Sequence, residues 1–222
     1  MKIAYLITGH LRTIDKCSRS FYDNIYKKGS DIYVHTWNTE DAKIKMWHKY
    51  KFKGKFDIEK KIKEIYNPKD YMIEKQDLKI NKELKKRGIN VSNISHYYSY
   101  YSLIKCYELL KKSGIEYDLI VKLRPDIFFK KELNLESDNF SIACNLVEWD
   151  ESINGDWRRM KATDIVYYGK PYHFEKLYNI RDKFYQKIRN NDTYIFQNIF
   201  NELFGEVNIL EYYYNKHWKI QR

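Results

Sequence analysis

Residues 2–8, KIAYLIT, are apolar at nearly every position and stop at Gly9. A strand with one wet face alternates apolar and polar side chains, so an unbroken apolar run has to be covered on both faces, as in the parallel sheet of an α/β protein. Residues 18–27 then put Phe21, Ile25 and Tyr26 on one helical stripe closed by Gly29, and residues 31–36, DIYVHT, predict a second strand. Strand, helix, strand is a βαβ unit: the helix carries the chain back to the end where the first strand began, so the two strands run parallel.

The alternation continues downstream. Residues 43–66 are basic and admit no single assignment, while 71–74 predict a short third strand. A long helix is predicted over 93–113, with Tyr97, Tyr101, Ile104, Tyr107 and Leu110 along one side, Asn93 or Ser95 as cap and Gly114 as stop. From Tyr117 the chain reads YDLIVKLRPDIFFK, in which the strand DLIVKL runs directly into Arg124-Pro125-Asp126. Pro125 has no N–H to give to a sheet ladder, so regular pairing is interrupted there and polar side chains are delivered at a strand end. Residues 140–145 and 164–168 predict further strands, separated by a polar loop at 148–160 that carries Trp149 and Trp157. Helices fit 171–189 and 192–204, followed by a last strand at 206–212 and a basic tail at 215–222. No repeat and no Pro/Gly/Ser-rich stretch divides the chain, which reads as one domain over 1–222. The expected fold is α/β, with a mixed, mainly parallel central sheet flanked by helices and ligands in the crevice beyond the carboxyl ends of the strands.

Composition narrows the classes. With 43% apolar and 17% aromatic residues the chain has ample material for a core, which excludes general disorder. No apolar run approaches the roughly 18–20 residues of a membrane span, and the opening segment turns polar too early for a signal peptide, so a cytoplasmic protein is expected. Cys17, Cys106 and Cys144 are widely spaced, lack a CxxC pairing and sit among apolar residues, which favours reduced, packed thiols over disulfides or zinc ligands. The net charge of +11 suits an anionic partner, whether nucleic acid, lipid headgroup or nucleotide diphosphate, and charge alone does not separate these. Much of the excess lies in 43–63 and 79–87, where runs of this kind are usually solvated helix faces.

Two strand ends carry candidate chemistry. A transferase that uses a sugar nucleotide must hold a diphosphate and neutralise the charge that grows on it as the glycosidic bond breaks. Asp126, just past a buried strand, is positioned for a divalent cation, and Arg124 for phosphate oxygens through its planar fork. The alternative for the same pair is an Arg–Asp ion pair at the sheet edge. Gly9 permits close approach of a ligand to the backbone, and a helix N-terminus downstream favours an anion, although a glycine at a strand end is also an ordinary turn residue. Trp37 closes the second strand, where it either stacks on a base or sugar or covers the edge of the core. Lys105, on the long helix, either pairs with phosphate or is solvated.

On these pieces the chain resembles a group of small bacterial and viral glycosyltransferases of the GT-A fold, including WavE-like proteins linked to surface polysaccharide synthesis. The resembling segments, in the family's order, are LITGHLRT at 6–13, DIYVHTW at 31–37, YSYYSLIKCYELL at 98–110, YDLIVKLRPDIFF at 117–129 and, more weakly, TDIVYYGKPYHFEKLY at 163–178. The resemblance implies a GT-A-like, Rossmann-related domain with a nucleotide-binding half over about 1–130 and an acceptor-side half over about 131–222. It implies nucleotide-sugar contact by Gly9, His10 and Arg12, and a diphosphate site at Arg124 and Asp126 with Mn²⁺ or Mg²⁺ on Asp126. Here the chain departs from the family: the first acid of the usual DxD is Arg124, and the chain contains no DxD triplet, so Arg124 is a candidate for part of the charge a cation supplies elsewhere. Asp164 matches an acid of the weaker segment and is the candidate catalytic base on the acceptor hydroxyl, with strand-start capping as its alternative. His217, in the tail, either closes over the diphosphate or is exposed. The expected partners are a nucleotide-diphosphate sugar and a glycan or lipid-linked acceptor, with possible peripheral membrane contact. Two rivals stand beside this reading. One is a nucleic-acid-binding basic protein, against which no helix-turn-helix, RNA-binding sheet motif or zinc finger is found. The other is a silent nucleotide-sugar-binding protein.

Overall fold

The computed structural model describes residues 1–38, 57–76, 78–135, 139–143, 165–190, 192, 195–205, 208–210 and 217–220. In chain order its elements are β1 (Ile3–Thr8), α1 (Ile14–Asn24), β2 (Asp31–Trp37), α2 (Ile58–Tyr66), β3 (Asp70–Glu74), α3 (Leu78–Lys86), α4 (Val91–Lys112), β4 (Leu119–Leu123) and β5 (Ile127–Phe129). There follow β6 (Ser141–Ala143), β7 (Val166–Gly169), α5 (Pro171–Asn179), α6 (Arg181–Arg189), α7 (Ile195–Phe204), β8 (Asn208–Leu210) and β9 (Trp218–Ile220).

Seven of these strands form one sheet in the order β3-β2-β1-β4-β7-β6-β8. The β3, β2, β1 and β4 strands are mutually parallel, β7 runs against β4 and β6, and β8 is parallel to β6. The expected α/β architecture with a mixed, mainly parallel sheet is therefore present. Every residue of β1 and β4 is buried, which is what their largely apolar runs require; Lys122 of β4 is buried with them, its Nζ 5.1 Å from the centre of the Tyr167 ring. Alternate side chains feed two cores. Ala4, Leu6, Tyr33 and Ile120 join α4, α5, α6 and α7 on one face; Ile3, Tyr5, Ile7, Val34, Leu119 and Val121 join α1 and α2 on the other.

The long helix α4 is wrapped on more than one side. Tyr100 stacks on Phe184 of α6 at 3.7 Å between ring centroids, and its hydroxyl donates to the Leu177 carbonyl. Of the expected stripe, Ile104, Tyr107 and Leu110 are buried and Tyr97 and Tyr101 only half-buried, while Tyr100, Leu103 and Cys106 lie deeper. Its cap is Asn90, whose side chain accepts from the Asn93 N–H, rather than Asn93 or Ser95; the Asn93 side chain donates instead to the Asp192 carbonyl. The single helix expected over 171–189 is two helices that break at Ile180. The basic tail contributes β9, which pairs antiparallel with β5 outside the main sheet. Cys17 and Cys106 are buried free thiols, as expected, with burial pushing Cys17 up to about 11; Cys144 lies outside the described residues. Among the described residues no helix is long and apolar enough to cross a membrane.

Candidate site at the divergence of β1 and β4

From β1 the chain steps outward through β2 to β3, whereas β4 leads to β7, β6 and β8 on the other side. At such a divergence the loops leaving the carboxyl ends of two adjacent parallel strands turn opposite ways and open a crevice between them, the general ligand position in open α/β sheets. Here the two loops are 9–13 and 124–126. The first leaves β1 through Gly9 at φ +119, a backbone conformation that favours glycine, with the Gly9 N–H donating to the His35 carbonyl at 3.2 Å. A Cβ at Gly9 would stand 3.9 Å from Pro125 Cδ, an ordinary contact, so the backbone angle rather than space demands glycine there.

The two loops meet through charge. Arg124 Nε and Nη2 donate to the two carboxylate oxygens of Asp126 at 2.9 and 2.6 Å, and Arg12 Nη1 lies 3.6 Å from Asp126 Oδ2. The Asp126 side chain is 2% exposed, while Arg12 and Arg124 keep 22% and 21%. Two guanidiniums thus flank one buried carboxylate at the mouth of the crevice. The sequence candidates Gly9, Arg12, Arg124 and Asp126 are thus brought together from positions more than a hundred residues apart, and His10 adjoins them.

His10 also links this crevice to the end of β2, its ring 6.3 Å from Trp37. Trp37 is 4% exposed, stacked on Tyr101 at 5.6 Å and flanked edge-on by His35 and Tyr98. The geometry favours its reading as cover for the core edge over that of an open stacking platform. Lys105 lies on this side as well, its Nζ bonded to Glu108 at 2.9 Å and 5.8 Å above the Tyr101 ring. Asp164 falls outside the described residues. His217 is buried, and its carbonyl accepts from the Lys130 N–H at 2.7 Å, so the reading of an exposed tail histidine does not hold.

Sequence reasoning did not find the network beneath Trp37. His35 is fully buried; Nε2 donates to Glu74 at 2.8 Å and Nδ1 accepts from the Ser102 hydroxyl at 2.7 Å. Burial lowers the His35 pKa, which outweighs the raising effect of Glu74, so the ring is neutral; Glu74 in turn is lowered chiefly by the hydrogen bond from His35. Ser, His and an acid in a row resemble a nucleophilic triad, but Ser102 is fully buried and cannot meet a substrate. Other buried polar atoms lacking hydrogen-bond partners also gather at this edge of the sheet: Thr8 Oγ1, Thr36 Oγ1 and both amide atoms of Gln76. Such groups are rare away from functional sites, and only their shared position at three strand ends could have been anticipated.

A cation at Asp126 fits poorly. Mn²⁺ or Mg²⁺ needs about six oxygen ligands, and both Asp126 oxygens already face guanidinium nitrogens. Among the described residues no group of three or more His, Cys, Asp or Glu side chains is gathered to hold a metal. A cavity of about 460 Å³ lined by Tyr22, Tyr26, Asp31, Tyr66 and Lys69 lies at the opposite edge of the sheet, where β2 and β3 begin, and holds none of the candidate residues. No protein-family model matches the chain, and no curated protein matches it.

Proposed function

We propose that the chain is a GT-A-type glycosyltransferase that moves a sugar from a nucleotide-diphosphate sugar to a glycan or lipid-linked acceptor. The observation that carries this reading is the meeting of the Gly9–Arg12 and Arg124–Asp126 loops at the divergence of β1 and β4, where two guanidiniums flank one buried carboxylate. The Gly9 turn would admit the nucleotide close to the backbone. Arg12 and Arg124 would face the phosphates, and because they are already held in place by Asp126 they need little reorganisation as negative charge develops on the leaving diphosphate. The resemblance in the segments around 6–13, 31–37 and 117–129 supports the same assignment, since those segments supply β1, β2 and β4 with their carboxyl ends. The net charge of +11 supports an anionic acceptor or loose contact with an anionic membrane that displays it.

The test is a melting-temperature panel with UDP-, GDP-, CMP- and dTDP-sugars, followed by chromatographic detection of released nucleotide. A donor at about 100 times its Kd adds about 2.7 kcal/mol of stability, roughly 5–10 °C for a chain of this size. Silence across the panel would sink the reading. A shift without any release of nucleotide, with acceptor glycans supplied, would reduce it to a silent binding protein.

A further inference from the structure

The residue best placed in the sequence to hold a cation is surrounded like the counterion of an anion site. Asp126 is buried, its two oxygens face the Nε and Nη2 of Arg124, and Arg12 Nη1 closes the third side at 3.6 Å. To bind a dication, the carboxylate would have to release the Arg124 fork, and the metal would then sit against two positive groups, with no group of three or more His, Cys, Asp or Glu side chains gathered to hold it among the described residues. The same geometry favours a polyphosphate. Each guanidinium is fixed on one side by Asp126 while part of its side chain stays open to solvent, and planar forks match phosphate oxygens in a way an ammonium does not.

We propose that Arg12 and Arg124, held in register by Asp126, bind the diphosphate of the donor in place of a divalent cation, so that nucleoside diphosphate binding by this chain does not depend on metal. Asp126 is then a positioning residue that sets the arginines and does not touch the ligand. The inference rests on the reading of the crevice as a sugar-nucleotide site, and its test separates the two.

The full chain is titrated calorimetrically with inorganic pyrophosphate, UDP, GDP and dTDP, once in EDTA and once with Mn²⁺, and its melting is followed with Mn²⁺ alone. Pyrophosphate and at least one nucleoside diphosphate should bind in EDTA with a Kd within about twofold of the Mn²⁺ value, and Mn²⁺ alone should leave the melting temperature unchanged. Arg12→Lys and Arg124→Lys keep the charge and lose the fork; each should weaken pyrophosphate binding about tenfold or more, the loss of one charge-assisted hydrogen bond. Arg12→Lys, the more distant from Asp126, keeps the test open if Arg124→Lys does not fold. Asp126→Asn, if folded, should weaken pyrophosphate binding in EDTA and Mn²⁺ alike. Nucleotide binding that appears only with Mn²⁺ overturns the proposal while sparing the sugar-nucleotide reading, as does a Mn²⁺-induced shift that Asp126→Asn abolishes. Metal-free pyrophosphate binding with no response to any nucleotide upholds the arginine site and overturns the sugar-nucleotide reading. No binding of either kind by a folded chain overturns both.

Discussion

The ends of β1 and β4 and the ends of β2 and β3 lie side by side on one edge of the sheet, and each buries an ionisable group between two partners. At β1 and β4 the buried group is charged, Asp126, and its partners are arginines that reach solvent. At β2 and β3 the buried group is neutral, His35, held by Ser102 and Glu74 and roofed by Trp37 and Tyr101. The first arrangement leaves part of two arginine side chains at the surface. The second pairs its ionisable group internally and closes over it. Neighbouring strand ends thus differ in kind, one partly open to solvent and the other sealed.

The largest effect that would sharpen this contrast comes from removing the roof. Trp37→Ala should cost about 3–5 kcal/mol in chemical denaturation, as for a large buried aromatic, with little change in pyrophosphate affinity in the protein that stays folded. A variant that keeps its stability but loses affinity would reverse the assignment of the two regions. A smaller effect concerns pH. Burial holds His35 below the ordinary 6.5, and His173, whose Nδ1 accepts from the Lys170 N–H, at about 4, so both are neutral when folded. As pH falls below 6.5 the unfolded chain takes up protons that the native chain refuses; their contribution is complete above 6.5 and is lost on acidification, for His173 down to about 4. Each histidine should remove up to about 1.4 kcal/mol per pH unit in that window. Denaturation midpoints at pH 7.5 and 5.5 should show the loss, and His35→Gln should reduce it; an unchanged slope would mean that the β2 and β3 end is open to water. The smallest expected effect is that of Lys105→Ala, within about 0.5 kcal/mol and without influence on nucleotide affinity, since this lysine already pairs with Glu108. A tenfold loss of affinity would place Lys105 in the site after all.

What the sequence made legible follows from range. The β1, β2 and β4 strands were readable because cover on both faces leaves a largely apolar run, and Gly9, Arg124 and Asp126 were readable as candidates because each follows such a run, whereas Arg12 was a candidate only through the resemblance of its segment. The cap of α4 was misplaced because Asn90, Asn93 and Ser95 all qualify by type, and only the bond from the Asn93 N–H to Asn90 decides among them. The break at Ile180 has no glycine or proline to announce it. The His35 network was invisible for a different reason: its partners are 39 and 67 residues away, and nothing local in a strand reading DIYVHTW marks the histidine as buried. That Asp126 would be held by both arginines was likewise a matter of tertiary geometry, although the Arg–Asp pair itself was one of the two readings its spacing allowed.

The pairing of β5 with β9 bears on the timing of synthesis. Among the described residues, the strand that starts one residue after Asp126 pairs with 218–220, with Ile127 opposite Ile220. A ribosome adding about 5–20 residues per second needs roughly 5–20 s to travel between those two positions. During that interval β1 and β4 can already be paired, and the segment beyond Asp126 is held to α1 by the Phe129 N–H donating to Ser20 Oγ and the Asn24 amide donating to the Phe129 carbonyl, while its other edge waits for β9. Arg12, Arg124 and Asp126 all precede that interval, so a nascent chain can bring the two arginines and their carboxylate together before the last strand arrives to cover the outer edge of β5.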